Sequence, residues 1–136
     1  MNLPINSLNH SDAACQYPEA LYYAKRISQG GHQPVFRKLL PDGEPVKLCP
    51  GPSQKFYNHS PDGFQWGYGG SGPAQLALAL LLDATTDPHM ALAHYQTFKW
   101  DKVAGWGDEW EITRGEILEW IAVQEKRELG VRIGQN

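Results

Sequence analysis

Between Pro73 and Ala84 the chain reads PAQLALALLLDA, in which only Gln75 and Asp83 are polar. A surface helix carries one apolar stripe, whereas a helix apolar nearly all round must be covered on every side. The run is too short to cross a bilayer, which takes about 20 apolar residues. It therefore predicts a buried central helix that the rest of the chain must surround. With 136 residues, one domain can bury such a helix without disulfides or metals.

Immediately before the helix, Gly67, Gly69, Gly70 and Gly72 punctuate a turn that follows Trp66 and contains Tyr68 and Ser71. Glycine supplies positive φ and lets another group come close, and a helix start offers N–H groups without intrahelical partners. Two uses follow, a tight structural corner or an anion site. Trp66, Tyr68, Gly69, Gly70, Ser71 and Gly72 are accordingly the ligand-site candidates. Residues 67–72 match G-x-G-x-x-G, but no later βαβ units appear, so a dinucleotide fold is not expected. No Lys-Ser or Lys-Thr follows to make a phosphate loop.

The remaining patterning predicts an α+β fold: a single small domain with a short antiparallel sheet packed on the central helix and two further helices. Residues 1–28 read as an N-terminal extension in which Pro18 to Ile27 has helical composition, and residues 29–136 as the domain. Val35 to Leu40 and Val46 to Leu48 read as strands around Pro41-Asp42-Gly43-Glu44, a turn sequence. Phe64 to Trp66 and Val103 to Trp106 read as short strands, and Trp110 and Ile112 alternate with Glu109 and Glu111 in another. Asp87-Pro88 opens a helix to Trp100 with Met90, Ala93, Tyr95 and Phe98 inward. Thr113 to Glu116 matches the capping box of a last helix reaching about Leu129, with Ile117, Leu118, Ile121 and Trp120 buried.

Net charge is −3, with 6 Lys/Arg and 4 Asp/Glu over residues 1–57 against 6 and 11 over residues 58–136. That balance argues against direct nucleic-acid binding through a broad basic surface. Cys15 and Cys49 form no disulfide framework or zinc motif, and the N-terminus lacks the basic start and apolar run of a signal peptide, so a cytoplasmic location is expected.

Chemistry-bearing residues are sparse. Asn58-His59-Ser60 with Asp62 brings an imidazole, a hydroxyl and a carboxylate close in sequence, but triads are assembled from separated segments, and a loop-pinning role is expected. The other histidines, His10, His32, His89 and His94, show no zinc-type spacing. No catalytic set, cofactor or metal is expected. Trp100, Trp106 and Trp110 gather in an acidic C-terminal third; aromatic rings with acidic neighbours suit a protein interface. Trp106, Asp108, Glu109 and Glu111 are the partner-surface candidates.

The segment YNHSPDGFQWGYGGSGPAQLALALLLDAT, continued by ALAHYQTFKWDKVAG, by Trp110 to Thr113 and by Glu116 to Trp120, resembles domain-of-unknown-function family 6166. The resemblance covers about Tyr57 to Ile121 and implies the fold of that family, whose members are small bacterial, phage and mobile-element proteins. It implies no activity. With no catalytic set, the reading it suggests is a non-enzymatic, anti-CRISPR-like inhibitor that binds a host defence protein in the bacterial cytoplasm. The alternative is a small-molecule protein that holds a nucleotide at the glycine turn.

Overall fold

Tyr22 and Asp83 lie 61 residues apart, yet their side chains share a 2.7 Å hydrogen bond that fixes how the sheet meets the central helix. The computed structural model describes residues 18–134. Four antiparallel strands, β1 (Ala20–Lys25), β2 (Phe36–Leu39), β3 (Val46–Lys47) and β4 (Glu109–Thr113), form one sheet in the order β3-β2-β1-β4. The helices are a single turn, α1 (Gly51–Gln54), then α2 (Ser71–Thr85), α3 (Pro88–Asp101) and α4 (Arg114–Gly134). The molecule is a single small α+β domain, as expected.

Helix α2 is the centre. Residues Gly72 to Leu81 are all buried along it, enclosed by the sheet and the other helices. Its polar side chains Gln75 and Asp83 both find partners. Asp83 accepts hydrogen bonds from the Tyr22 hydroxyl and from Arg37 Nη1 at 2.9 Å, joining β1 and β2 to the helix. Burial first, and then the Asp83 carboxylate, push the Tyr22 phenol far above its ordinary range. Thr86 ends α2 in the left-handed region at φ 53°, and Asp87 caps α3 by accepting from the N–H groups of His89 and Met90. The capping box of α4 is present: the Thr113 hydroxyl accepts from Glu116 N at 3.1 Å while the Glu116 carboxylate accepts from Thr113 N at 2.9 Å.

Five expectations are corrected. The segment expected to be helical between Pro18 and Ile27 is β1, because Ala20, Tyr22 and Ala24 alternate with Leu21, Tyr23 and Lys25 and bury one face only. An inner strand of the sheet thus comes from before residue 28, so the expected boundary between extension and domain cuts through the fold; residues 1–17 lie outside the described residues. Phe64 to Trp66 is not a strand. Phe64 instead bonds to the irregular segment at Gln33 N and His32 Nδ1, although Phe64 and Trp66 are both buried. Val103 to Gly105 forms a 3-10 turn, since Gly105 and Trp106 donate back to Lys102 and Val103. In α3, Ala93 faces out and His94 takes its place inside.

Candidate functional site

The glycine corner is built from beneath by Trp66. Its indole is 1% exposed, donates from Nε1 to Gly107 O at 2.7 Å, meets Trp110 edge-on at 5.6 Å, and carries the Arg26 guanidinium 4.8 Å above its ring. Arg26 also donates to Asp108, to Gln65 and to Trp66 O, tying the end of β1 to the corner. Trp66 is therefore a support, and no face of it is open for stacking on a ligand. A cleft of about 490 Å³ opens beside it, lined by Arg26, His32, Asp62, Gln65, Tyr68 and Ser71 among others.

The four glycines do two different jobs. Gly67 has φ +91°, and a Cβ there would stand 3.1 Å from Trp106 O; at Gly72 a Cβ would stand 2.7 Å from Gln65 Cβ and 3.2 Å from its backbone nitrogen. Both positions need glycine so that backbones can meet. At Gly69 and Gly70 the neighbours are movable rings: a Cβ at Gly69 would overlap the Trp100 indole, and one at Gly70 would lie 2.5 Å from the Tyr68 ring. These two glycines are seats for aromatic side chains. Gly70 is the N-cap of α2 with no side-chain cap, and Pro73 removes one N–H donor.

Because α2 and α3 form a hairpin, the start of α2 lies beside the end of α3. There Trp100 is 64% exposed, Tyr68 51% and Tyr57 56%. Tyr57 stacks on His59 with ring centres 4.2 Å apart, and His59 Nε2 lies 2.6 Å from the Tyr95 hydroxyl. Burial, and then the nearby Lys99 charge, hold His59 below its ordinary pKa, in keeping with a neutral imidazole accepting from the phenol. Lys99 itself is buried in α3 with its ammonium 4.3 Å over the Trp100 ring.

The His59–Ser60–Asp62 sequence does not assemble into a catalytic group. The backbone N–H groups of His59 and Ser60 both donate to Gln75 Oε1, at 2.7 and 3.0 Å, while Gln75 Nε2 donates to Ser53 Oγ and Tyr57 O. Gln75, fully buried on α2, is thus the anchor of the loop that presents Tyr57 and His59. Its place as the one polar residue in Ala74–Leu82 was the available signal for that role.

The four partner-surface candidates separate. Trp106 stacks on Trp110 at 4.1 Å and meets Phe98 edge-on, on the inner side of the sheet. Strand alternation sends Glu109 and Glu111 to the opposite, outer face, and Asp108 lies in the loop paired with Arg26 at 3.0 Å. A further cluster crosses α3 and α4: buried His94 has Nε2 2.5 Å from Glu125 Oε2 and Nδ1 4.0 Å from Glu128 Oε2. The three ligand atoms lie within 4.8 Å of one another, so a cation could be held, but the two carboxylates are exposed and address different ring nitrogens. As it stands the cluster is a clamp between helices.

Among the described residues no helix is long and apolar enough to cross a membrane. Neither a curated protein nor a solved structure matches the chain. The model of a family of unknown function (DUF6166) matches residues 25–123, from the end of β1 into α4, and the chain belongs to that family.

Proposed function

From membership of a family that carries no assigned activity, we propose that this chain is a non-enzymatic binding protein that recognises a partner protein through the glycine corner. The observation that carries the reading is the grouping of Tyr57, Tyr68 and Trp100, each more than half exposed, around the start of α2. Tyrosine and tryptophan supply much of the binding energy at protein interfaces, and rings already held by Gly69, Gly70 and His59 lose little freedom on binding. The partner is taken to be a component of a bacterial defence system, bound in an anti-CRISPR-like manner. That assignment rests on the resemblance to small phage and mobile-element proteins and on no feature of the site.

A second reading, nucleotide binding, is favoured by Lys99. Its ammonium meets the face of Trp100, and no hydrogen bond or ion pair to an acceptor is found for it among the described residues, so a ligand with a planar base and a phosphate would find both a ring and a cation. Trp66 has no part in this version.

Native mass spectrometry of the tagged protein, drawn gently from lysate of its bacterial host, separates the two. A stoichiometric protein partner that is lost with Trp100→Ala and Tyr68→Ala supports protein recognition. A small-mass adduct lost with Lys99→Gln supports the nucleotide. Retention of the protein partner by both ring variants, with folding intact, refutes the leading reading.

A further inference from the structure

The outer face of the sheet carries a second, differently organised surface. Register pairs Tyr23 with Glu111 on one side and with Phe36 on the other, and Phe36 with Lys47. Directly paired residues point to the same face. One row across all four strands therefore reads Glu111–Tyr23–Phe36–Lys47, acid, ring, ring, base. The two rings stack with centres 5.8 Å apart and a tilt of 27°, making a flat apolar platform. Leu21, Ile27 and Pro34 extend it, in an open groove of about 790 Å³. Ile27 is 68% exposed, while Glu111 and Lys47 stand exposed at the two ends of the row.

Such a row is complementary to itself when reversed. A two-fold axis that lies between the sheets and runs parallel to the strands, between β1 and β2, lays β4 of one copy over β3 of the other. Each Glu111 then faces a Lys47, and each Tyr23 faces a Phe36, twice in the assembly, as an isologous interface requires. A two-fold axis across the strands would instead lay Glu109 and Glu111 over their own copies, placing like charges together. We infer that two copies of this chain pack through the outer faces of their sheets in the strand-parallel orientation, as aligned sheets do in a sandwich. The glycine corner takes no part in this contact, so the inference stands independently of the proposed function.

Charge exchange tests it. By analytical ultracentrifugation the full chain sediments with twice the mass of one chain. Glu111→Lys and Lys47→Glu each oppose like charges twice and raise the dissociation constant by about tenfold or more. Mixing the two single variants restores the dimer as a one-to-one heterodimer, because each then offers what the other lacks; a simple loss of folding could not produce that recovery. A monomer at all concentrations, a dimer indifferent to both charge reversals, or two variants that fail to recombine would each overturn the inference.

Discussion

The glycine corner and the outer face of the sheet both present aromatic rings, and they hold them by different means. At the corner, Tyr57, Tyr68 and Trp100 come from two loops and a helix end, seated one at a time on His59, Gly70 and Gly69. On the sheet, Tyr23 and Phe36 are fixed by strand register in a row flanked by opposite charges. An irregular seat gives a surface without internal symmetry, suited to a different molecule. A regular row with opposite ends is suited to its own reverse. Exposed aromatic area alone does not say what binds; the way the backbone presents it narrows the choice.

The largest effect that would break this comparison concerns the support beneath the corner. Trp66→Ala removes a buried indole and is expected to cost about 3–5 kcal/mol in denaturant unfolding. A loss below about 1 kcal/mol would mean that the corner is not held from Trp66. Next come the glycines. Gly72→Ala drives a methyl against Gln65 and its backbone and should cost about 1–3 kcal/mol. Gly69→Ala meets the mobile end of Trp100, so stability should fall by less than about 1 kcal/mol while Trp100 fluorescence and partner binding change. Equal costs at the two positions would erase the distinction between joints and seats.

The smallest effect is on pH dependence. Burial, followed by Lys99 for His59 and Lys47 for His32, holds both imidazoles below their ordinary pKa of 6.5. The unfolded chain therefore takes up protons first as pH falls. The stability linked to these groups is present in full above about pH 6.5 and declines as pH drops through the lowered folded values. Melting temperatures measured across that range should decline on the acid side, and His59→Gln should flatten the decline. An unchanged slope in that variant would remove His59 from the account.

The parts of the fold that were legible in the sequence are those written in local chemistry. The apolar run of α2, the Asp87 cap, the Thr113–Glu116 box and the Pro-Asp-Gly turn between β2 and β3 each carry a local physical reason. What misled was composition without period. Pro18 to Ile27 has the content of a helix, but its burial alternates every second residue, which makes it the inner strand β1. The site was less legible because its parts are far apart in sequence. Trp100 reaches Gly69, Tyr95 reaches His59 and Glu125 reaches His94 only through helix packing. Conversely, Trp106, Asp108, Glu109 and Glu111 are close in sequence but separate in space: alternation along β4 sends Glu109 and Glu111 to the outer face, while Trp106 and Asp108 precede the strand, the one stacked inside on Trp110 and the other paired with Arg26.

Recognition of another protein by the seated rings of the glycine corner is the proposal on which the rest depends. Its most direct test is quantitative capture of the partner by wild type, Trp100→Ala and the sheet-face variant Glu109→Lys, with unfolding curves recorded for all three. Trp100→Ala should lose the partner, Glu109→Lys should keep it, and all three should unfold within about 1 kcal/mol of one another. Capture retained by Trp100→Ala and lost by Glu109→Lys would contradict it and move recognition to the sheet.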